Sequence, residues 1–289
     1  MMNFKNKRSK LRVYILIFFG MAISSVVQAS VIDGGMLTLN LDRDALIANV
    51  GHNGVNLQNY PDSPTVDFPI CCRPSIYLEE FYDASAASKT FVELRDGNTP
   101  DLYDAVSDEI SSVGLQFSVN PEVIATNPAG RLNKPTNINF DPTDISGTAT
   151  GKIGLAGVMR FRVDVDPPTN RVLFGDLDLE YNPLLEDTLT GRSGWVIMNN
   201  SGFRISGFDL FDVTSTLTDN NWLLTGALGL GQGFDHLGGI TDSRVGTFSF
   251  QTTVVPLPTS IWLFLSGLMG LSAAHFRIRR NSLKSKSDL

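Results

Sequence analysis

Histidine and cysteine, the side chains that most often hold metals or act as nucleophiles, are scarce in this chain. Cysteine occurs twice in 289 residues, as the neighbours Cys71 and Cys72. An ordinary disulfide wants Cα atoms about 4.4–6.8 Å apart, so a bridge between neighbours needs a strained backbone. A vicinal disulfide, free thiols and intermolecular pairing stay open, and a passive structural role is expected. Of the three histidines, His52 and His236 precede the C-terminal segment and read as surface residues. Catalytic signatures are missing too. No Gly-x-Ser-x-Gly elbow presents a serine. No zinc-binding helix motif and no phosphate loop occurs. The Gly-rich run 229–239 carries Asp235 and His236, but no Gly-Lys-Ser/Thr follows it, so it reads as loop and turn.

Basic residues are sparse in the middle of the chain. The totals are 23 Lys/Arg and 30 Asp/Glu. The first 29 residues hold five bases and no acid, and the last 31 hold five bases and one acid. Residues 30–258 therefore carry 13 bases against 29 acids, a net charge of −16. Such a body disfavours nucleic acid and anionic lipid as partners. Otherwise the composition, 42% hydrophobic and 18% charged, is that of an ordinary globular protein.

The excess base at the start belongs to an export signal. Lys5, Lys7, Arg8, Lys10 and Arg12 precede an apolar run over 13–22, and small residues follow as far as Val27-Gln28-Ala29. Val27 and Ala29 suit the −3 and −1 pockets of signal peptidase, which places the cut before Ser30 and makes residues 1–29 a signal peptide. The apolar run is short for a span of about 20 residues, which argues against an uncleaved anchor.

The end of the chain has a second pattern. Residues 257–275 contain no Lys, Arg, Asp or Glu, and Trp262 lies near their start. Arg277, Arg279 and Arg280 follow at once. That is the length of a membrane span with an interfacial aromatic outside and a basic stop inside. The expected orientation puts the body outside the cytoplasm. Val255-Pro256-Leu257-Pro258, then Trp262, then Ser266-Gly267 and the arginines, resemble a PEP-CTERM sorting signal of the VPLPA type. Thr259 stands where that motif usually has Ala, and nine residues continue beyond the arginines. The resemblance is confined to residues 255–289. It implies a Gram-negative bacterium, recognition by an exosortase-type membrane protease, temporary anchoring in the inner membrane, and then the cell surface or extracellular space. It also implies association with exopolysaccharide and biofilm. Proline fixes φ, removes a donor and pushes the preceding residue to extended conformations, so 254–258 is expected to be extended and exposed to the protease.

Between these signals, residues 30–254 read as a β-rich extracytoplasmic domain. Leu37, Leu39 and Leu41 alternate with Thr38 and Asn40, the period of a half-buried strand. Strands are also expected over 113–119, 151–165, 171–179, 195–198, 203–213, 222–230 and 245–255. Turn compositions separate several of them. The spacing predicts an antiparallel β-sandwich-like fold, with Leu173, Leu177, Leu179, Ile197, Phe203 and Phe250 in its core. Helices are expected over 42–48, 76–87 and from Thr99-Pro100 toward Val113. A connecting loop is expected over 120–144, where the body could divide.

One set of acidic residues could hold a metal. Asp164 and Asp166, and Asp176 and Asp178, each share a strand face by period-two geometry. If the two strands pair through the turn 166–170, the four carboxylates gather, and calcium takes six to eight oxygen ligands. The alternative is a solvated outer face. The function expected is a non-enzymatic surface or matrix protein. A secreted polymer-acting hydrolase and a calcium-dependent adhesion module are the other readings. A carboxylate pair in a groove, or metal binding without turnover, would separate them.

Overall fold

Among the described residues, eight strands close into an antiparallel barrel in the order β1-β11-β10-β9-β8-β7-β4-β3, and three more, β2-β5-β6, form a separate sheet. The computed structural model describes residues 30–50, 76–97, 109–124, 127–163, 171–218, 220–237 and 239–256. In chain order these are β1 (Ser30–Leu41), α1 (Arg43–Asn49), β2 (Ile76–Tyr82), α2 (Phe91–Asp96), β3 (Val113–Val119), α3 (Ile145–Thr148), β4 (Ile153–Ala156) and β5 (Val158–Val163). Then come β6 (Arg171–Gly175), β7 (Asp178–Asp187), β8 (Arg192–Asn199), β9 (Ile205–Thr218), β10 (Asn221–Leu230) and β11 (Arg244–Pro256). The expected mainly β, antiparallel character is present. A sandwich leaves its sheets open; here β1 lies between β3 and β11 and seals the larger sheet.

Alternation builds the barrel interior. Leu37, Leu39 and Leu41 are buried, and so are Trp222, Leu224, Phe248 and Phe250 on neighbouring strands. Trp222 packs on Trp195, Phe140 and Phe250 with ring centroids 5.8, 4.9 and 5.6 Å apart. Its indole N–H donates to Ser215 Oγ at 3.1 Å, so a large side chain is buried with its polar atom satisfied. A second aromatic group joins the small sheet to this core. Phe174 stacks on Phe234 at 4.4 Å, and Phe161 meets both rings edge-on.

The two sheets share one bent hairpin. The expected strands 151–165 and 171–179 do pair with each other, but each is broken. The barrel arm pairs Ile153↔Leu179 and Gly154↔Asp178, and the small-sheet arm pairs Val158↔Gly175 through Arg162↔Arg171. Between the arms, Gly157 takes φ +136° and Asp176 takes φ 48°. The Asp176 N–H donates to the Gly157 carbonyl at 2.9 Å, so the two breaks face each other. A Cβ on Gly157 would sit 2.8 Å from Phe117 Cδ1, which leaves only glycine comfortable there.

Two expectations need correction and one is met. Residues 76–82 are strand rather than helix, followed by a short 3-10 turn at Ala84–Ala86. Ile76-Tyr77-Leu78 and Phe81-Tyr82 favour a pleated surface, and antiparallel pairing with β5 satisfies the backbone. Phe203 is 55% exposed, because it falls before β9 and outside the alternation that buries its neighbours. Helix α1 forms where Asp42 predicted it, with the Asp42 carboxylate accepting from Ala45 N–H at 3.0 Å. Residues 99–108 of the remaining helix expectation lie outside the described residues, and Val113 already opens β3.

Residues 127–144, within the expected loop, hold no regular strand. They are nonetheless packed, with Arg131, Ile138 and Phe140 buried. Among the described residues no helix is long and apolar enough to cross a membrane. The expected signal peptide, residues 1–29, and the expected span, residues 259–275, lie outside the described residues.

Candidate functional site

The bend of the hairpin brings together Asp176 and Asp178, two of the four aspartates singled out in the sequence. Asp176 sits in the left-handed region, which is uncommon for a residue with a Cβ and is held here by its surroundings. Its carboxylate receives the two-pronged guanidinium of Arg131, with Nε donating to Oδ2 at 2.8 Å and Nη2 donating to Oδ1. Ser201 Oγ adds a third donor at 3.0 Å. The other Arg131 nitrogen donates to the carbonyls of Ala86 and Lys89, at 2.9 and 3.1 Å.

Asp178 is buried as completely as Asp176. Asn200 Nδ2 and Arg204 Nη1 both donate to its Oδ1 at 2.6 Å. Lys152 Nζ lies 3.2 Å from Oδ2. Arg204 also reaches Glu180 at 2.7 Å. Three carboxylates, Asp176, Asp178 and Glu180, are thus matched by three cations, Arg131, Arg204 and Lys152.

This corrects the picture of a solvated acidic face. Alternation places Asp176 and Asp178 together, but the bend turns both inward, where a charge survives only when paired. Basic side chains occupy Asp176 and Asp178, where the calcium alternative would have placed the ion. Asp164 and Asp166 lie outside the described residues, and among the described residues no three His, Cys, Asp or Glu gather to hold a metal.

The small sheet carries a second buried ionic group that the sequence reading missed. β5 points Met159, Phe161 and Val163 into the core, and the intervening Arg160 and Arg162 meet Glu79 of β2. Arg171 of β6 closes a fork on Glu79, with both bonds at 2.8 Å. Burial alone would raise the Glu79 carboxyl. The Arg171 hydrogen bond and the charges of Arg160, Arg171 and Arg162 outweigh burial and hold it below the ordinary value.

Arg160 also donates to Tyr82 Oη at 2.7 Å and to the Leu94 carbonyl at 3.0 Å, tying the C-terminal end of α2 to the sheet. Burial, then the hydrogen bond to Glu80, pushes the Tyr82 phenol upward. The visible signal was two arginines alternating with apolar residues inside a strand. Arginine is almost never buried unless paired.

A third pair joins Arg192 to Asp209 at 2.5 Å, with Ser206 Oγ also donating to Asp209. Burial is the dominant influence on Asp209 and raises it despite Arg192.

An open cleft of about 380 Å³ lies over the outer faces of β1 and β3. Met36, Gln116 and Ser118 line one side and Phe81, Asp83 and Ser85 the other. Asp83 is its single acidic lining residue, already bonded to Ser85 Oγ and N–H, which lower it.

The expected processing sites meet the fold at its edges. Ser30 opens β1, Val255 and Pro256 end β11, and the pairing runs Ser30↔Pro256 and Val31↔Val255. The stretch is extended as expected and Val255 is exposed, but Val254 is buried in the barrel core. Val27, Ala29, Leu257, Pro258, Trp262, Ser266, Gly267, Arg277, Arg279 and Arg280 lie outside the described residues, as do His52, Cys71, Cys72 and the His236 side chain. No protein-family model matches this chain, and no curated protein matches it.

Proposed function

We propose that this chain is an exported surface or matrix protein, non-enzymatic, that an exosortase-type protease processes at a C-terminal sorting segment. A signal helix and a transmembrane helix would flank the barrel, with signal peptidase removing the first and the exosortase the second. The cell surface or extracellular matrix of a Gram-negative bacterium is the destination, with exopolysaccharide as the associated polymer.

One observation carries the reading. The Pro-Leu-Pro motif, the charge-free span and the arginine stop follow one another in the order such a signal requires, and they start where the last barrel strand ends. Buried charges matched by partners, rather than aligned for proton transfer, support a structural and not a catalytic body.

Fractionation of cells that contain the exosortase tests the proposal. The wild type should appear first in the inner membrane and then at the surface or in the medium. A chain lacking residues 257–289 should skip the membrane stage. An unchanged distribution would refute the sorting role.

A further inference from the structure

We propose that the first residues of the mature chain form a flap over the start of the sorting motif, and that processing waits on its opening. This rests on the sorting reading above.

On one side of β11, pairing with β10 ends at Asn221↔Thr253, followed by a bond from Val254 N–H to the Asn220 carbonyl at 2.6 Å. Past that bond, the strand partner of Val255 and Pro256 among the described residues is β1 alone. The covering segment of β1 is Ser30-Val31-Ile32-Asp33, which pairs with Pro256, Val255, Val254 and Thr253 in turn.

The same four residues have β11 as their only strand partner among the described residues, because β3 joins β1 from Met36 onward. A two-stranded ribbon of this kind is marginal in water.

A hinge separates the flap from the rest of β1. The register shifts between Asp33 and Met36. Gly34 and Gly35 take φ 72° and 132°. A Cβ on Gly35 would lie 2.6 Å from the Gln251 carbonyl oxygen, so the bulge depends on glycine. Thr252 Oγ1 donates to the Gly34 carbonyl and fixes the base of the flap. Ile32, buried in the same core cluster as Val254, is its apolar hold.

A protease binds its substrate extended, through main-chain hydrogen bonds, and cannot make them while β1 occupies that edge. Pro256 has no N–H to give, so the last rung is the weakest and fraying should begin there. Cleavage then tracks the population of the open flap when opening is fast.

The test measures the rate of release of full-length chains in exosortase-containing cells by pulse-chase. Ile32→Ser loosens the flap without touching the motif or Ser30, and release should quicken by about fivefold, the factor for roughly one kcal/mol. Asp33→Cys with Thr253→Cys staples the base of the flap, both positions being exposed and outside the motif. Oxidised, that chain should release about fivefold more slowly, and reductant should restore the rate while leaving the wild type unchanged. Equal rates for wild type, Ile32→Ser and both redox states of the staple would overturn the flap. Failure of the wild type itself to be released would overturn the sorting reading, and the flap with it.

Discussion

Arg131 and Asp176 form a two-pronged ion pair that is sealed from solvent at the point where the chain leaves the small sheet and enters the barrel. Asp176 holds a left-handed backbone there, and Arg131 ties it to the carbonyls of Ala86 and Lys89. Removing one member leaves a buried charge without its countercharge. Arg131→Met should cost about 3–5 kcal/mol of stability. Arg131→Lys should cost part of that, because a point charge replaces a fork. Denaturant unfolding of the purified protein measures both. A double-mutant cycle with Asp176→Asn should show strong coupling.

Acid should act on Glu79 and Asp209 in opposite directions. The folded value of Glu79 lies below its ordinary 4.5, so its share of stability is fully present above 4.5 and is lost as pH falls toward the folded value. Asp209 lies above its ordinary 3.8, so protonation favours the folded form, and stability is lost as pH rises through the window above 3.8. Unfolding curves between pH 3 and 6, a range set by these ordinary values (about 4 for carboxyls), should flatten on the acid side for Glu79→Gln. Asp209→Asn should steepen the same limb. Identical slopes in both variants would contradict the assignment.

Glycine is required at the hairpin bend and merely convenient near the start of β3. Gly157→Ala meets both a positive φ and the Phe117 ring, and should destabilise by about 2–4 kcal/mol, combining backbone strain with overpacking. Gly114→Ala has a positive φ but open space around its Cβ, and should cost about 1–2 kcal/mol. Thermal unfolding of the two variants side by side gives the comparison.

The proposed anchoring segment, residues 259–275, makes a sequence-based prediction. A charge at the centre of a membrane helix costs about 2.5–3.5 kcal/mol on insertion scales. Gly267→Arg should therefore shift the chain out of the membrane fraction. Leu189→Arg, on a fully exposed hairpin tip, should leave fractionation unchanged.

What could be read in advance was local. Leu37, Leu39 and Leu41 announced a strand, Asp42 announced a helix start, and the turn 166–170 announced the pairing of its two arms. The misreadings trace to distant partners. Residues 76–82 carry apolar residues at spacings that suit either element, and β5 decides for strand. Asp176 and Asp178 looked solvent-facing because alternation assumes a straight strand, and the bend at Gly157 and Asp176 lay outside that assumption. Closure was likewise hidden, since it depends on β1 meeting both β3 and β11. Phe203 lies two residues before β9 begins, ahead of the positions such as Phe208 and Leu210 that the strand buries.

The neighbourhood of β1 and β11 also sets a schedule. A ribosome delivers β1 first and β11 last, with nearly the whole body between them. Until β11 arrives, β1 and β10 each present an unpaired edge, the kind of surface that recruits other chains. Folding of so non-local a closure is slow by its nature. The most hazardous interval in the life of this protein therefore comes before it is complete, and any factor that shields a strand edge during that interval should raise its yield more than one that strengthens the finished barrel.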